Sequence, residues 1–405
     1  MPYADLRAFL HRLEACGKLR RISKPVDKDW EIAAVSKVAF ERIPEPQRAA
    51  LMFERVQGFD IPVVTGALGS SRSIYCLVLD CDVGDVQRKW ADAELRPLAP
   101  KLVSAGPAQE NVWQGDKVDL TRFPIPTWTV GQDPAPYITS GYVITADPES
   151  HIRNVGTYRV QLKGPNKLGL FINYLQGGRL HVEKNNQLHQ PTPVAIVIGA
   201  DPVIGLVSVS RLPQDMDELA VAGALRGEPV DVVRCRTVDL EVPATSEIVI
   251  EGVIRANEFE SEGPFGEYTG YMGPKAMSYI VDVQCVTHRS RPIFQAFISQ
   301  MPPSESSCIA MCGAWSYAPQ FGKITVVVDD DIDIRDVNSV LWAISFRVQP
   351  ERDVLTMPGM AAVSLDPSQA PPEVPQEDIS RRVSSKLGID ATRKHAFPAV
   401  AAPPK

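Results

Sequence analysis

The chain predicts an α+β fold in three parts: an N-terminal α/β domain over residues 1–110, a β-rich centre over 111–305 curled into a barrel, and a C-terminal α/β domain over 306–405. Three observations lead there. Helical periodicity alternates with short apolar runs in the first part, and short β-rich runs between Gly, Pro and Asn turns dominate the second. A strand, an acidic turn and a helix follow one another in the third.

In the first part Leu6, Phe9, Leu10 and Leu13 recur at helical spacing over residues 4–17, and Gly17 is a stop signal. A second helix is expected from Trp30 to Glu41, with Lys18–Val26 extended between the two. Ala50–Val56, Pro62–Thr65 and Ile74–Leu79 read as strands. Gly66-Ala-Leu-Gly69 lacks the Gly-Lys-Ser/Thr ending of a phosphate loop and reads as a turn. The centre supplies strands at Tyr142–Thr145, Thr157–Leu162, Leu168–Ile172, Val194–Ile198, Val230–Arg234, Ile248–Ile254, Tyr279–Thr287 and Ile293–Ile298. One helix, Asp217 to Leu225, interrupts them. In the last part strand Ile324–Val328 and helix Val337–Phe346 flank Asp329–Asp333. That acidic run lacks the glycine and glutamate of a calcium loop, so it reads as a strand end with a helix cap. Residues 366–376 read as a linker and 396–405 as a loose tail, and no internal repeat is present.

Composition narrows the function classes. With 405 residues, 44% hydrophobic and 22% charged, the chain is that of a soluble globular protein with room for two or three domains. A net charge of −7 argues against a nucleic-acid partner, because phosphate binding needs a basic surface. No run reaches the roughly 18 apolar residues of a membrane span, and the charged start Met1-Pro-Tyr-Ala-Asp-Leu-Arg7 is unlike a secretory signal. The 7 cysteines are odd in number and scattered. Cys308 and Cys312 find no second pair to complete a zinc site, so core or free thiols in a reducing cytoplasm are expected.

The chemistry concentrates in Glu262-Gly-Pro-Phe-Gly-Glu-Tyr-Thr-Gly-Tyr271. Glycine and proline argue against a helix, so a turn presents Glu262 and Glu267. Two carboxylates near one arginine can share a proton, one acting as acid and the other as base. A solvated acidic loop is the competing reading of the pair taken alone. Upstream, Asn154-Val-Gly-Thr-Tyr-Arg159 follows a turn at Asp147-Pro-Glu-Ser150. On one continuous strand the odd offset sends Asn154 and Arg159 to opposite faces, one for a cofactor and one for a substrate. His181 follows Gly177-Gly178, and Asp217-Glu218 opens a helix where a carboxylate complements the dipole. An amide oxygen, an imidazole and a carboxylate suit Mn²⁺ or Mg²⁺ bridging to a phosphate better than structural zinc.

In this order the motifs resemble the UbiD-like family of prenylated-FMN-dependent (de)carboxylases. The likeness also rests on Pro193-Val-Ala-Ile-Val-Ile-Gly-Ala-Asp-Pro202, Val242-Pro-Ala-Thr-Ser-Glu247-Ile-Val-Ile-Glu-Gly252 and Ser385-Lys386-Leu-Gly-Ile-Asp-Ala-Thr392, and it runs from Asp5 to Thr392. It implies a central split β-barrel related to flavin reductases, a cytoplasmic homodimer or higher homo-oligomer, and a flavin prenyltransferase as cofactor supplier. Asn154, His181 and Glu218 match the family's ligands for a divalent metal, usually manganese, that clamps the flavin phosphate, with potassium nearby. Lys386 resembles the phosphate-binding lysine, a point-charge contact. Thr157, Tyr158, Arg159, Leu180 and the run Ser208–Pro213, with Ser210 and Arg211, match positions bordering the flavin. Arg159, Glu262 and Glu267 match the catalytic network. Arg159 would orient a small carboxylic acid substrate with its planar fork, Glu267 would donate the proton, and Glu262 would hold Arg159 and tune that donor. The modified flavin would accept the electrons left by CO₂. Tyr268 would favour a flat, modest-sized acid.

The resemblance also sets expectations about length. Only Ile309 to Gly322 separates Met301-Pro-Pro-Ser-Glu305 and its following residues from the next strand, several dozen residues fewer than the family's usual connection. The family's C-terminal helix is not met after Lys394. A shortened C-terminal domain is therefore expected. Two other readings stand beside the enzyme: a catalytically impaired flavin-binding or assembly subunit, and a flavin reductase. Keeping Arg159, Glu262 and Glu267 together argues against the first. The lack of Gly-x-Gly-x-x-Gly after a strand argues only weakly against the second.

Overall fold

Asp5 caps the first helix, α1 (Leu6–Ala15), by accepting the Ala8 N–H at 2.8 Å, and Leu6, Phe9, Leu10 and Leu13 are buried along one face. The computed structural model describes residues 3–173, 176–309, 323–334, 336–361 and 383–394, arranged as one unit over Met1–Ala318 and another over Pro319–Lys405. Cys312, the linker at 366–376 and the tail at 396–405 lie outside the described residues. After α1 come β1 (Leu19–Ile22), α2 (Glu31–Arg42), β2 (Ala50–Phe53), β3 (Val63–Thr65), α3 (Arg72–Leu79) and α4 (Val86–Leu95). Ile74–Leu79, expected as a strand, is the body of α3. Ser71 accepts the Ile74 N–H at 3.4 Å as a cap, and Ile74, Tyr75, Val78 and Leu79 are buried at helical spacing. The packing environment overrides β propensity in this short apolar run.

The centre continues with β4 (Lys101–Leu102), β5 (Asn111–Gln114), β6 (Tyr137–Ile138), β7 (Gly141–Ala146), β8 (Arg153–Thr157), β9 (Arg159–Gly164) and β10 (Lys167–Phe171). Next are α5 (Gly177–Gln187), β11 (Thr192–Ile198), α6 (Pro202–Val207), α7 (Glu218–Arg226), β12 (Asp231–Arg234), β13 (Glu241–Pro243) and β14 (Ile248–Glu262). β15 (Phe265–Gly266), β16 (Met272–Gly273), β17 (Ala276–His288) and β18 (Phe294–Gln295) complete the series. Among the described residues three α-helices therefore interrupt the strands where one was expected. The expected strand Ile293–Ile298 contracts to β18, and Thr157–Leu162 is broken at Tyr158.

That break explains the curl of the main sheet. Its order is β6-β9-β10-β17-β14-β11-β7-β8, with β5 added on β17. β9 and β8 stand six strand spacings apart in that order, about 29 Å if the sheet were flat. Yet Tyr158 alone joins them, and two peptide steps span at most about 7 Å. The sheet must bend round until its ends nearly meet, leaving a seam where β8 and β9 do not pair. Val194–Ile198 on β11 are fully buried between neighbours on both sides, each contributing on the order of 1.5–3 kcal/mol for the larger side chains. A four-stranded sheet, β1-β2-β3-β18, returns the chain to the N-terminal elements.

The second unit holds β19 (Ile324–Val327), α8 (Val337–Arg347), β20 (Val354–Ala361) and β21 (Val383–Asp390), with sheet order β19-β21-β20. Asp336 caps α8 by accepting the Asn338 and Ser339 N–H groups. The acidic run was expected to do so. Asp329 and Asp331 instead receive Arg347, at 3.0 Å and at 2.9 and 2.7 Å.

Candidate active site

Glu262 is the last residue of β14, and Gly263 turns the chain at φ +84°, where a Cβ would be strained. The β15–β16 hairpin follows and presents Glu267, whose N–H donates to the Tyr271 carbonyl at 2.9 Å. Arg159 opens β9 at the seam. Its Nε and Nη2 donate to Glu262 Oε2 at 3.1 and 2.8 Å, and its Nη1 donates to Glu267 Oε1. The side chains of Arg159, Glu262 and Glu267 are 6%, 0% and 14% exposed. The two acids five apart in sequence thus meet one guanidinium in a nearly dry site.

Burial pushes the Glu267 carboxyl above its ordinary value; Arg159 pulls it down and the Glu262 charge adds to the rise. Burial works against the Arg159 charge, but Glu267 and Glu262 outweigh it and hold the guanidinium above its ordinary value. Tyr137 stands close by, its hydroxyl accepting the Gly263 N–H at 3.1 Å, and burial followed by the Glu262 charge keeps it protonated. Gly273 on β16 makes the close approach possible. A Cβ there would lie 2.8 Å from Arg159 Nη1 and 3.1 Å from Glu267 Oε1.

A second group surrounds the other side of the break. Asn154 on β8 is the register partner of Thr145 on β7. His181, on α5, shares a 2.9 Å hydrogen bond with Thr145 Oγ1 through Nδ1, which leaves Nε2 as its available donor atom. Asn154 Nδ2 donates to the Tyr158 hydroxyl at 3.0 Å, and a Cβ at Gly177 would sit 2.1 Å from Asn154 Oδ1. Glu218, the first residue of α7 after its cap Asp217, accepts the Val155 N–H at 2.9 Å. Burial raises the Glu218 carboxyl to about 8 and lowers the His181 imidazole, and no basic side chain pairs with Glu218 among the described residues. A neutral imidazole with one nitrogen anchored, an amide oxygen and a buried carboxylate suit a divalent cation.

Asn154 and Arg159 are not alternating residues of one strand, as the sequence pattern implied. The chain leaves the sheet at Tyr158, so alternation does not carry across, and the two residues belong to strands on either side of the seam. Thr157 and Tyr158 lie at the seam and bond the segments beside it. The Thr157 N–H donates to the Ser208 carbonyl at 2.9 Å, and the two hydroxyls are 2.7 Å apart. Tyr158 accepts the Gly178 N–H at 3.2 Å, and Ser210 Oγ donates to the Val207 carbonyl at 2.6 Å. Leu180 is half-buried on α5, while Arg211 and Pro213 are exposed. Lys386 belongs to the second unit, half-buried on β21 opposite Met357.

Two neighbours escaped the sequence. Phe171 is the register partner of Arg159 across the β9–β10 hairpin, and its ring centroid lies 4.0 Å from the guanidinium carbon. A hairpin pairing would have found it. Thr145, which anchors His181, carries no sequence signal, because its role comes from the β7–β8 register.

The comparisons agree with this architecture. Residues 10–94, 101–302 and 272–391 match the N-terminal, Rift-related and C-terminal domains of 3-octaprenyl-4-hydroxybenzoate carboxy-lyase. The chain belongs to the UbiD family of carboxy-lyases. It is similar to the UbiD-class enzyme HmfF from Pelotomaculum thermopropionicum in complex with FMN, at 33% identity and TM-score 0.84, covering 98% of this chain and 97% of that one. It is also similar to vanillic acid decarboxylase from Sedimentibacter hydroxybenzoicus, at 28% identity and TM-score 0.84, covering 100% and 97%. A third likeness is to the 3,4-dihydroxybenzoic acid decarboxylase AroY from Klebsiella pneumoniae, at 25% identity and TM-score 0.81, covering 99% and 98%.

Proposed function

We propose that the protein is a reversible, non-oxidative decarboxylase of an aromatic or α,β-unsaturated carboxylic acid that uses prenylated FMN. The observation that carries this reading is the Arg159 guanidinium held between Glu262 and Glu267 at the barrel seam. The similar HmfF structures hold FMN and prenylated FMN, and two other similar proteins are named as decarboxylases of aromatic acids.

Arg159 has five N–H groups, of which three go to the two glutamates. The remaining two offer a substrate carboxylate a paired donor edge. Phe171 closes one face of the guanidinium, which limits how it can turn. When bound, prenylated FMN supplies the electron sink that no side chain offers as the C–C bond to CO₂ breaks. Glu267, whose proton affinity burial raises, delivers its proton to the carbon that lost CO₂ and takes it back in carboxylation. Glu262 fixes Arg159 by two hydrogen bonds and raises its neighbour's proton affinity. Asn154, His181 and Glu218 would hold Mn²⁺ or Mg²⁺ against the flavin phosphate, with K⁺ as a further phosphate partner. No helix among the described residues is long and apolar enough to cross a membrane. A cytoplasmic homodimer or larger homo-oligomer is part of this reading, and one HmfF form is described as dimeric.

The test is CO₂ release by protein co-expressed with a flavin prenyltransferase, assayed against cinnamic, heteroaromatic and hydroxybenzoic acids. Release from any of these acids, absent from protein lacking the flavin, is expected. Flavin-loaded protein that releases no CO₂ would be a binding or assembly subunit. Nicotinamide-dependent flavin reduction would mark a reductase.

A further inference from the structure

Each of two proposed metal ligands sits one residue beyond a partner in a half-buried ion-pair joint. Arg153 precedes Asn154 at the start of β8, and Asp217 precedes Glu218 as the cap of α7. Arg153 Nε and Nη2 both donate to Asp217 Oδ2, at 3.1 and 2.8 Å, and Nη1 donates to Glu241 Oε2 on β13 at 2.6 Å. Asp217 divides its two oxygens: Oδ2 takes Arg153, while Oδ1 accepts the Leu219 N–H at 2.9 Å and starts the helix. The side chains of Arg153, Asp217 and Glu241 are 16%, 21% and 31% exposed, so water screens the joint only in part.

β8 and α7 are therefore cross-linked twice within three residues. One link is Arg153 to Asp217, and the other is the Val155 N–H to Glu218 Oε2 at 2.9 Å. Alternation along β8 puts the Arg153 and Asn154 side chains on opposite faces of the strand. The guanidinium thus fixes β8 against α7 from behind, without entering the donor set. It also does not neutralise Glu218. Nε, Nη1 and Nη2 are committed to Asp217 and Glu241, so the guanidinium does not compete with an incoming cation for the Glu218 oxygens.

We infer that Arg153 is a positioning residue for the divalent cation, setting the separation of the Asn154 and Glu218 oxygens before the ion arrives. This rests on the metal reading given above. A two-pronged, planar group is suited to the task because it fixes direction as well as distance. Partners behind metal ligands typically change affinity by about 10–100-fold when removed.

The experiment compares wild type, Arg153→Lys and Arg153→Met by titrating Mn²⁺ in the presence of FMN, with free Mn²⁺ read by electron paramagnetic resonance. The thermal midpoint is measured on the same samples without Mn²⁺. Lys keeps the charge and stem but not the fork, so it is the variant that folds if Met does not. Mn²⁺ binding is expected to weaken about 10-fold in Arg153→Lys and up to about 100-fold in Arg153→Met. Adding Mn²⁺ is expected to raise the midpoint of the wild type more than that of either variant. Folded variants that bind Mn²⁺ within about twofold of wild type, whatever their midpoint, would overturn the inference alone. A wild type that takes up no Mn²⁺ with FMN would overturn the metal reading and this inference together.

Discussion

Glu267→Gln removes the transferable proton while keeping the outline of the side chain. Its structural cost follows from a single contact. Glu267 Oε1 accepts Arg159 Nη1, and an amide oxygen can accept the same N–H. Arg159 stays charged, and a hydrogen bond to a charged group contributes about 1.5–3 kcal/mol net, so exchanging one accepting oxygen for another costs on the order of 1 kcal/mol or less. The two Glu262 contacts to Arg159 persist. The chemical cost is larger. A positioned general acid contributes about 10²–10⁴ in rate, or about 3–5 kcal/mol of barrier. The two effects therefore separate. Turnover of the flavin-loaded variant should fall at least ~10²-fold, with flavin occupancy near wild type and the thermal midpoint lowered by only a few degrees. Solvent-deuterium incorporation into product should slow in step with turnover. Turnover within about threefold of wild type, with flavin retained, would remove Glu267 as the proton donor.

Arg159→Lys keeps a positive charge but replaces a fork by a point donor, which cannot serve both Glu262 and Glu267 and still orient a substrate. kcat/KM should fall by ~10² or more, with a stability loss below the roughly 3–5 kcal/mol of a fully broken buried pair. Gly273→Ala places a methyl 2.8 Å from Arg159 Nη1, so the guanidinium must shift; turnover should drop about 10²-fold, while urea unfolding shows a loss of about 1–3 kcal/mol. The pH dependence centres on Glu305, which is buried and accepts the Gly66, Leu68 and Gly69 N–H groups at 2.6, 2.9 and 3.3 Å. Burial outweighs those donors and raises its carboxyl from 4.5 to about 7. The folded protein then holds a proton that the unfolded chain gives up, so stability falls as pH rises from about 4.5 to about 7 and levels off above. At about 1.36 kcal/mol per pH unit this amounts to about 3 kcal/mol. Glu305→Gln should lack that slope, so its urea-midpoint curve should converge on or cross the wild-type curve between pH 5 and 8; parallel curves would exclude the assignment.

The candidate site was readable from the sequence because its acids lie in one short turn. Gly263 and Gly273 bracket a hairpin too tight to place Glu262 and Glu267 far apart, and Arg159 closes a motif that is similarly compact. Other features could not be read so. Ile74–Leu79 is rich enough in branched and aromatic residues to look like a strand, and only the Ser71 cap and four buried side chains make it helical. Phe171 and Thr145 reach the site through register, which depends on pairing between segments.

The order of apolar runs, turn residues and charged motifs was enough to determine the β-rich centre, the flanking α/β parts and the family. These are local properties, set by side-chain period and by chemistry carried within a few residues. Tertiary structure alone decided that the chain leaves the sheet at Tyr158, where β8 and β9 stay unpaired. It alone decided that Arg153 locks to Asp217 across 64 positions. Such contacts arise from the closing of long loops around a shared core, and no short stretch of sequence carries that information.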